Sequence, residues 1–294
     1  MPVSPERPQL SNAGLRPTIA AEAVDEYGNV REMQVADERP LTIYVDSYEI
    51  VTLMTLGTHP ELLVLGYLRN QGLVNELSEI LSVQVDWDVN AAAVTTRTGR
   101  EDWKERLGPR IVTTGCGQGT VFGGIMEDLS RIRVRPMRLR QSQIYALLGN
   151  LGACNEVYRS AGAVHGCALC RGEEVLVFIE DVGRHNAVDA IAGHMWLEGM
   201  DGADKIFYTT GRLTSEMVIK VGQMGIPVLV SRSGITQMGL ALARQLGVTL
   251  LARAQGKHFL IYNGAENIEL DVRLPPKLEV ANVKRPAPGN PFAT

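Results

Sequence analysis

The sequence carries no excess of basic residues, no apolar run of membrane-spanning length and only four cysteines in 294 residues. Each shortage excludes something. With 29 Lys and Arg against 33 Asp and Glu the formal charge is -4, and the basic residues are spread over most of the chain, so no overall basic field is available to hold a nucleic acid backbone. Any anion site must be local. A membrane helix needs about 20 consecutive apolar residues, and no such run occurs. The opening MPVSPERPQLSNAGLRPT is Pro-rich and charged by residue 7, so no secretory signal is expected. Four cysteines without an export signal fit a reducing, cytoplasmic setting, as free thiols or ligands rather than as a disulfide framework. Neither a P-loop nor a six-residue dinucleotide fingerprint is found.

What is there is a chain with 45% apolar residues, enough to bury a full core in one large or two modest domains. Four stretches are expected: a flexible start over 1–20, a small α+β domain over 21–138, an α/β domain over 139–265 and a Pro-rich tail over 266–294. LTIYVDSYEIVTLMTL (41–56) predicts a two-strand hairpin around its polar DSYE centre. THPELLVLGYLRNQGLV predicts a helix that opens on Thr58 and Pro60 and lines up Leu62, Leu63, Leu65, Gly66 and Leu68. The segment NELSEILSVQVDWDVNAAAVTTRTG predicts a short apolar strand and a turn. From about residue 140 the rhythm becomes a helix followed by alternating strands and helices, an α/β three-layer pattern. Its strand-to-helix junctions are small polar loops, EDVGRHN, TTGRLTS and SRSGIT. In open α/β sheets ligands bind beyond the carboxyl ends of strands, so these loops are the expected pocket walls.

Two cysteine stretches compete for chemistry. GAVHGCALC (162–170) holds Cys167 and Cys170 with His165 just upstream, a set that suits zinc or a thiol redox pair, or else simply core packing. The helix that would stabilise a thioredoxin-type thiolate is missing, because CALC runs into a turn and then a strand. TTGCGQGT (113–120) places a lone Cys116 among Gly115, Gly117 and Gly119, after RIVTT, which reads as a strand. Glycines free the backbone and remove side chains that would shield a thiol. A free thiol has a pKa of about 8.5, so a nearby cation or helix amino terminus is needed to make much thiolate. Arg131, Arg133 and Arg135 follow at period two and would share one strand face, with Arg138 and Arg140 continuing the series; a merely solvated face is the alternative. In the three loops Asp181 could cap or orient, while Arg184, His185 and Arg212 could meet an anion.

The order of these stretches says more than any one of them. TTGCGQGT, GAVHGCAL, EDVGRHNAVDAIAG, TTGRLTSEMVIKVGQMGIPVLVSRSGIT and LARQLGVTLLARAQGKHFLIYNG, with THPELLVLGYLRNQGLV upstream, together resemble the formate dehydrogenase accessory (FdhD) family of sulfur carrier proteins over about residues 20–264. The resemblance implies a small amino-terminal domain followed by a cytidine deaminase-like α/β domain without deaminase chemistry. The His-x-Glu and Pro-Cys-x-x-Cys pattern of the deaminases is absent. It implies a persulfide on Cys116, loaded by a cysteine desulfurase and passed to the molybdenum of bis(molybdopterin guanine dinucleotide) for use by formate dehydrogenase. The family's second loop cysteine falls on Gly119, a departure. Its cofactor segment falls on Val230, Ser231, Arg232, Ser233, Gly234 and Ile235, with His165, Asp181, Arg184, His185 and Arg212 as further pocket candidates and no intrinsic metal. A homodimer is implied by the resemblance alone. The rivals are a zinc or redox protein built on His165, Cys167 and Cys170, and a non-catalytic cofactor-binding module.

Overall fold

The computed structural model describes residues 7–99 and 132–273, together with two short paired strands at 111–112 and 119–120. The first half holds β1 (Gln9–Leu10), β2 (Thr18–Val24), β3 (Val30–Ala36), β4 (Arg39–Val45), β5 (Tyr48–Thr55), helix α1 (Pro60–Asn70), β6 (Ile80–Asp86) and β7 (Ala91–Thr96). The hairpin expected over 41–56 is β4–β5, turned at Asp46 and Ser47, both with positive φ as the twist of a tight hairpin requires. Where one strand was expected over 75–99 there are two, β6 and β7, paired antiparallel. The alternation of Ile80, Val83 and then Ala92 and Val94 into one core supports both. The sheet order is β1-β6-β7-β4-β5, while β2 and β3 form a separate two-stranded ribbon. Pro60 opens α1 at a position where its missing N–H costs nothing.

The second half begins after the pair β8 (Ile111–Val112) and β9 (Gly119–Thr120). It runs β10 (Leu139–Arg140), α2 (Gln141–Cys154), α3 (Glu156–Ala161), β11 (His165–Arg171), β12 (Glu174–Asp181), α4 (Arg184–Leu197), β13 (Ile206–Thr209), α5 (Ser215–Gln223), β14 (Val228–Ser231), α6 (Gln237–Leu246), β15 (Thr249–Gln255), β16 (His258–Asn263) and β17 (Ile268–Glu269). Six strands make one mixed sheet in the order β12-β11-β13-β14-β15-β16, with β13, β14 and β15 parallel through the crossovers α5 and α6. One face packs Leu169, Phe207, Leu229 and Leu250 against α4, α5 and α6. The other packs Ala168, Tyr208, Val230 and Leu251 against Ile144, Leu147 and Leu151 of α2. This is the three-layer α/β arrangement that the alternating pattern predicts.

Helix α4 is buried on nearly every side, its polar first turn and Asp189 included, because it packs both against the six-stranded sheet and against α1. The two helices meet backbone to backbone. A Cβ added at Gly66 would lie 1.7 Å from the Asp189 carbonyl oxygen, and one at Gly193 would lie 1.9 Å from that of Leu62. Beside this contact Asn70 Nδ2 donates to Asp189 Oδ1 at 2.7 Å, and Lys220 Nζ of α5 donates to Asp189 Oδ2 at 2.7 Å. Asp189 has no exposed surface, so both oxygens of a buried carboxylate are met. One continuous core therefore includes Leu41 and Val83 of the first sheet as well as Leu229 of the second.

Two expectations need correction. Cys167 and Cys170 lie inside β11, not ahead of a strand. Over 132–138 the Arg series is irregular and only Arg140 at its end lies in a strand, β10, although exposed Arg133 and Arg135 do flank buried Val134. Val134 N donates to Leu246 O, so this segment is tied to the end of α6. Arg131 and Cys116 lie outside the described residues. Among the described residues no helix is long and apolar enough to cross a membrane.

The glycine contact gives a direct test. Gly193→Ala should cost at least about 3 kcal/mol in urea unfolding because two backbones must separate. Gly149→Ala, at an exposed position of α2 with nothing within 4 Å of the new Cβ, should instead gain up to about 1 kcal/mol.

Candidate functional site

The carboxyl ends of β13 and β14 are joined to each other before anything else. Ser231 Oγ donates to the Gly211 carbonyl at 2.6 Å and accepts from Ser233 N at 2.9 Å. Arg232 N donates to Thr209 O, Leu213 N to Gly234 O and Thr236 N to Leu213 O. Thr209 Oγ1 accepts from Gly211 N at 3.1 Å. The loops 210–214 and 232–236 are thus zipped into one wall at the amino termini of α5 and α6, where free N–H groups and the helix dipole favour anions. Thr236 caps α6 by accepting from Gly239 N. Val230 and Ser231 are buried in the strand, and Arg232, Ser233, Gly234 and Ile235 reach the surface.

His165 starts β11, in register with Asp181 at the end of β12. Its Nδ1 lies 3.4 Å from Thr210 Oγ1. Burial lowers its pKa, and the guanidiniums of Arg184, Arg212 and Arg232 lower it further, so the ring is neutral amid three cations. Among the described residues none of these arginines is in a salt bridge with a carboxylate. Arg232 instead stands 5.4 Å over the ring of Tyr158. That pair lines an open cleft of about 390 Å³ together with Leu148, Asn155, Arg159 and Tyr208.

The carboxylates of the region are already engaged. Asp181 Oδ2 accepts from Thr55 Oγ1 at 2.5 Å and Leu56 N at 3.2 Å, and Oδ1 accepts from Gly183 N at 3.1 Å and Asn186 Nδ2 at 2.7 Å. Four donors commit it to anchoring β5 against the start of α4. Burial raises its pKa while these hydrogen bonds pull it back. Glu216 Oε2 lies 3.1 Å from His185 Nε2. Burial, then the charges of Lys220, Arg184 and His165, push His185 down to about 2, so it is neutral and Nε2 donates. His185 therefore faces Glu216 through Nε2 while its Nδ1 is buried without a partner.

The Cys-x-x-C does not form a site. Cys167 belongs to the core facing α4 and Cys170 to the core facing α2, on opposite faces of β11. Cys167 Sγ lies 3.3 Å from Thr209 Oγ1. Burial pushes both thiols up to about 12. Two thiols on opposite sides of a sheet cannot share one metal or pair with each other, which removes the geometric basis of the zinc or redox reading. Among the described residues no group of three His, Cys, Asp or Glu is arranged to hold a metal ion.

Tyr158, Arg159 and Tyr208 also line the cleft, although no motif in the sequence marks them. Tyr208 could have been found from period two along β13, which sets it opposite Phe207. Tyr158 and Arg159 carried no local signal beyond an aromatic beside a cation in NEVYRS.

Fold and site thus define an α/β protein with a cationic, carboxylate-poor cleft at parallel strand ends. The chain belongs to the FdhD/NarQ family, whose model matches residues 36–269. It is 31% identical to the sulfur carrier protein FdhD of Listeria monocytogenes serotype 4b over 240 residues, covering 81% of this chain and 92% of that one. The sulfur carrier protein FdhD of Bacillus subtilis is 28% identical over 81% of this chain and 91% of its own. A crystal structure assigned as a formate dehydrogenase accessory protein from Desulfotalea psychrophila aligns with TM-score 0.68 and 26% identity, covering 86% of this chain and 98% of that one.

The neutral His185 sets a pH dependence. Its folded pKa lies below the ordinary 6.5, so the unfolded chain binds the extra proton and stability falls as pH drops below about 6.5. Thermal midpoints between pH 7.5 and 5 should fall less steeply in His185→Gln than in the parent. Thiol reactivity follows burial too: alkylation of the native protein at pH 7.5 should modify Cys154 before Cys167 or Cys170, as peptide mapping will read.

Proposed function

We propose that this protein is a sulfur carrier in formate dehydrogenase maturation, with Cys116 as the persulfide carrier. Family membership over residues 36–269 is the observation that carries this reading. The Cys116 thiolate attacks the outer sulfur of a cysteine desulfurase persulfide. The sulfur–sulfur bond of the donor breaks, its thiolate leaves, and Cys116 holds the outer sulfur. One thiol is enough for this exchange, so Gly119 in place of a second cysteine does not prevent loading. Gly119 pairs with Val112 in the β8–β9 ladder.

The acceptor is bis(molybdopterin guanine dinucleotide), bound as cargo. The cleft has the chemistry its diphosphate needs. Arg232 offers a guanidinium beside the start of α6, and Arg212 adds a second cation from the neighbouring loop. Tyr158, with Arg232 over its ring, gives a flat surface suited to a guanine base. The absence of carboxylate partners for these arginines among the described residues keeps the site attractive to anions. Neutral His165 can donate or accept a hydrogen bond there without adding charge.

Incubation with a cysteine desulfurase and cysteine should add the mass of one sulfur atom to the intact protein, and Cys116→Ala should abolish the adduct. An unchanged adduct in that variant removes Cys116 from the role.

A further inference from the structure

Arg184 is the first residue of α4 and only 2% exposed, yet its Nε and Nη2 have no hydrogen-bond partner. These two nitrogens form one edge of the guanidinium. Their parallel N–H bonds match two oxygens of a single phosphoryl or carboxylate group. Burial of a guanidinium without an anion is strongly unfavourable, so a fold that places one here needs a compensating contact. The carboxylates that could supply it are spent: Asp181 accepts four hydrogen bonds from other donors, and Glu216 faces His185.

The surroundings decide which anion fits. Gly211 of the 210–214 loop lies directly on the arginine stem, where an added Cβ would fall 2.7 Å from Arg184 Cδ. That loop carries Arg212 and ends on Thr214, the residue before α5, whose buried Oγ1 also lacks a partner. The α4 amino terminus begins at Gly183, which offers no side-chain cap to its first turn. Two helix starts, an orphaned guanidinium edge, an orphaned hydroxyl and a second arginine favour a multiply charged oxyanion over a single carboxylate.

We infer that Arg184 is the floor of an inner phosphoryl subsite, reached through the 210–214 loop and distinct from the outer donors at 232–236. The inference rests on the reading of the cleft as a diphosphate site. It assigns one phosphoryl group of the cargo's diphosphate to Arg184 and the other to the Arg232 loop. Because 210–214 is hydrogen-bonded to 232–236, filling the inner subsite tightens the outer wall as well.

Calorimetric titration of the full chain with GDP, inorganic diphosphate, inorganic phosphate and guanosine tests this. GDP and diphosphate should bind, and Arg184→Met should weaken both by about tenfold or more while leaving any guanosine binding unchanged. Arg184→Lys should not restore affinity, because an ammonium cannot replace the two-pronged edge. Without ligand, the thermal midpoint of Arg184→Met should equal or exceed that of the parent, since a buried unpaired charge has been removed. A purely structural arginine would give a lower one. Arg184-dependent binding of inorganic phosphate as tight as that of diphosphate supports the subsite with the free ion as its occupant. Diphosphate affinity within about twofold of the parent in Arg184→Met overturns the inference and leaves the 232–236 cradle standing. No binding of any anion to the parent overturns both, while sulfur loading on Cys116, read separately by mass, is untouched.

Discussion

The approach of α1 to α4 through Gly66 and Gly193 is the constraint on which the rest of the structure depends. Two helices can touch backbone to backbone only where neither carries a Cβ, and here both positions are glycine. The contact brings Asp189 of α4 beside Asn70 of α1, and Lys220 of α5 completes its hydrogen bonding. It also fixes where α4 starts. The Asp181 anchor to Thr55 and Leu56 at the end of β5 then locks that start against the first sheet. Arg184, three residues after Asp181, follows directly on this anchored junction.

This arrangement explains why the site is cationic. Acidic side chains near the strand ends act as internal fasteners, each satisfied by donors from neighbouring elements, and so are withdrawn from the surface. Arg232 has no such partner among the described residues and lines the cleft. A cleft of this kind discriminates by subtraction, since the acids nearby already have their hydrogen-bond partners within the scaffold.

Much of this was legible in the sequence. Period-two and helical spacing gave the β4–β5 hairpin, α1 and the alternating strands and helices after residue 140, because burial on one face leaves a repeating trace. The loops at 180–186, 209–215 and 231–236 were recognisable as small polar junctions, and they do lie at strand ends beside helix starts. What stayed hidden depended on contacts between distant segments. Asp189 and Lys220 read as ordinary charged positions, yet both are buried, which only the meeting of α1, α4 and α5 explains. Tyr158 reaches Arg232 across 74 positions of sequence, a proximity set by where α3 packs. For the Cys-x-x-C the core-packing alternative holds, and only its place is shifted, because the run from His165 is itself a strand.

That strand has a consequence for sulfur economy. In a helix, thiols three positions apart would share a face; in β11 they occupy separate cores on either side of a sheet. Protonated and enclosed, neither is available as a thiolate nucleophile for sulfur exchange. In a sulfur-carrier family, burying Cys167 and Cys170 on opposite faces of one strand withdraws both from thiol exchange, and of the three described cysteines Cys154 is left as the accessible one.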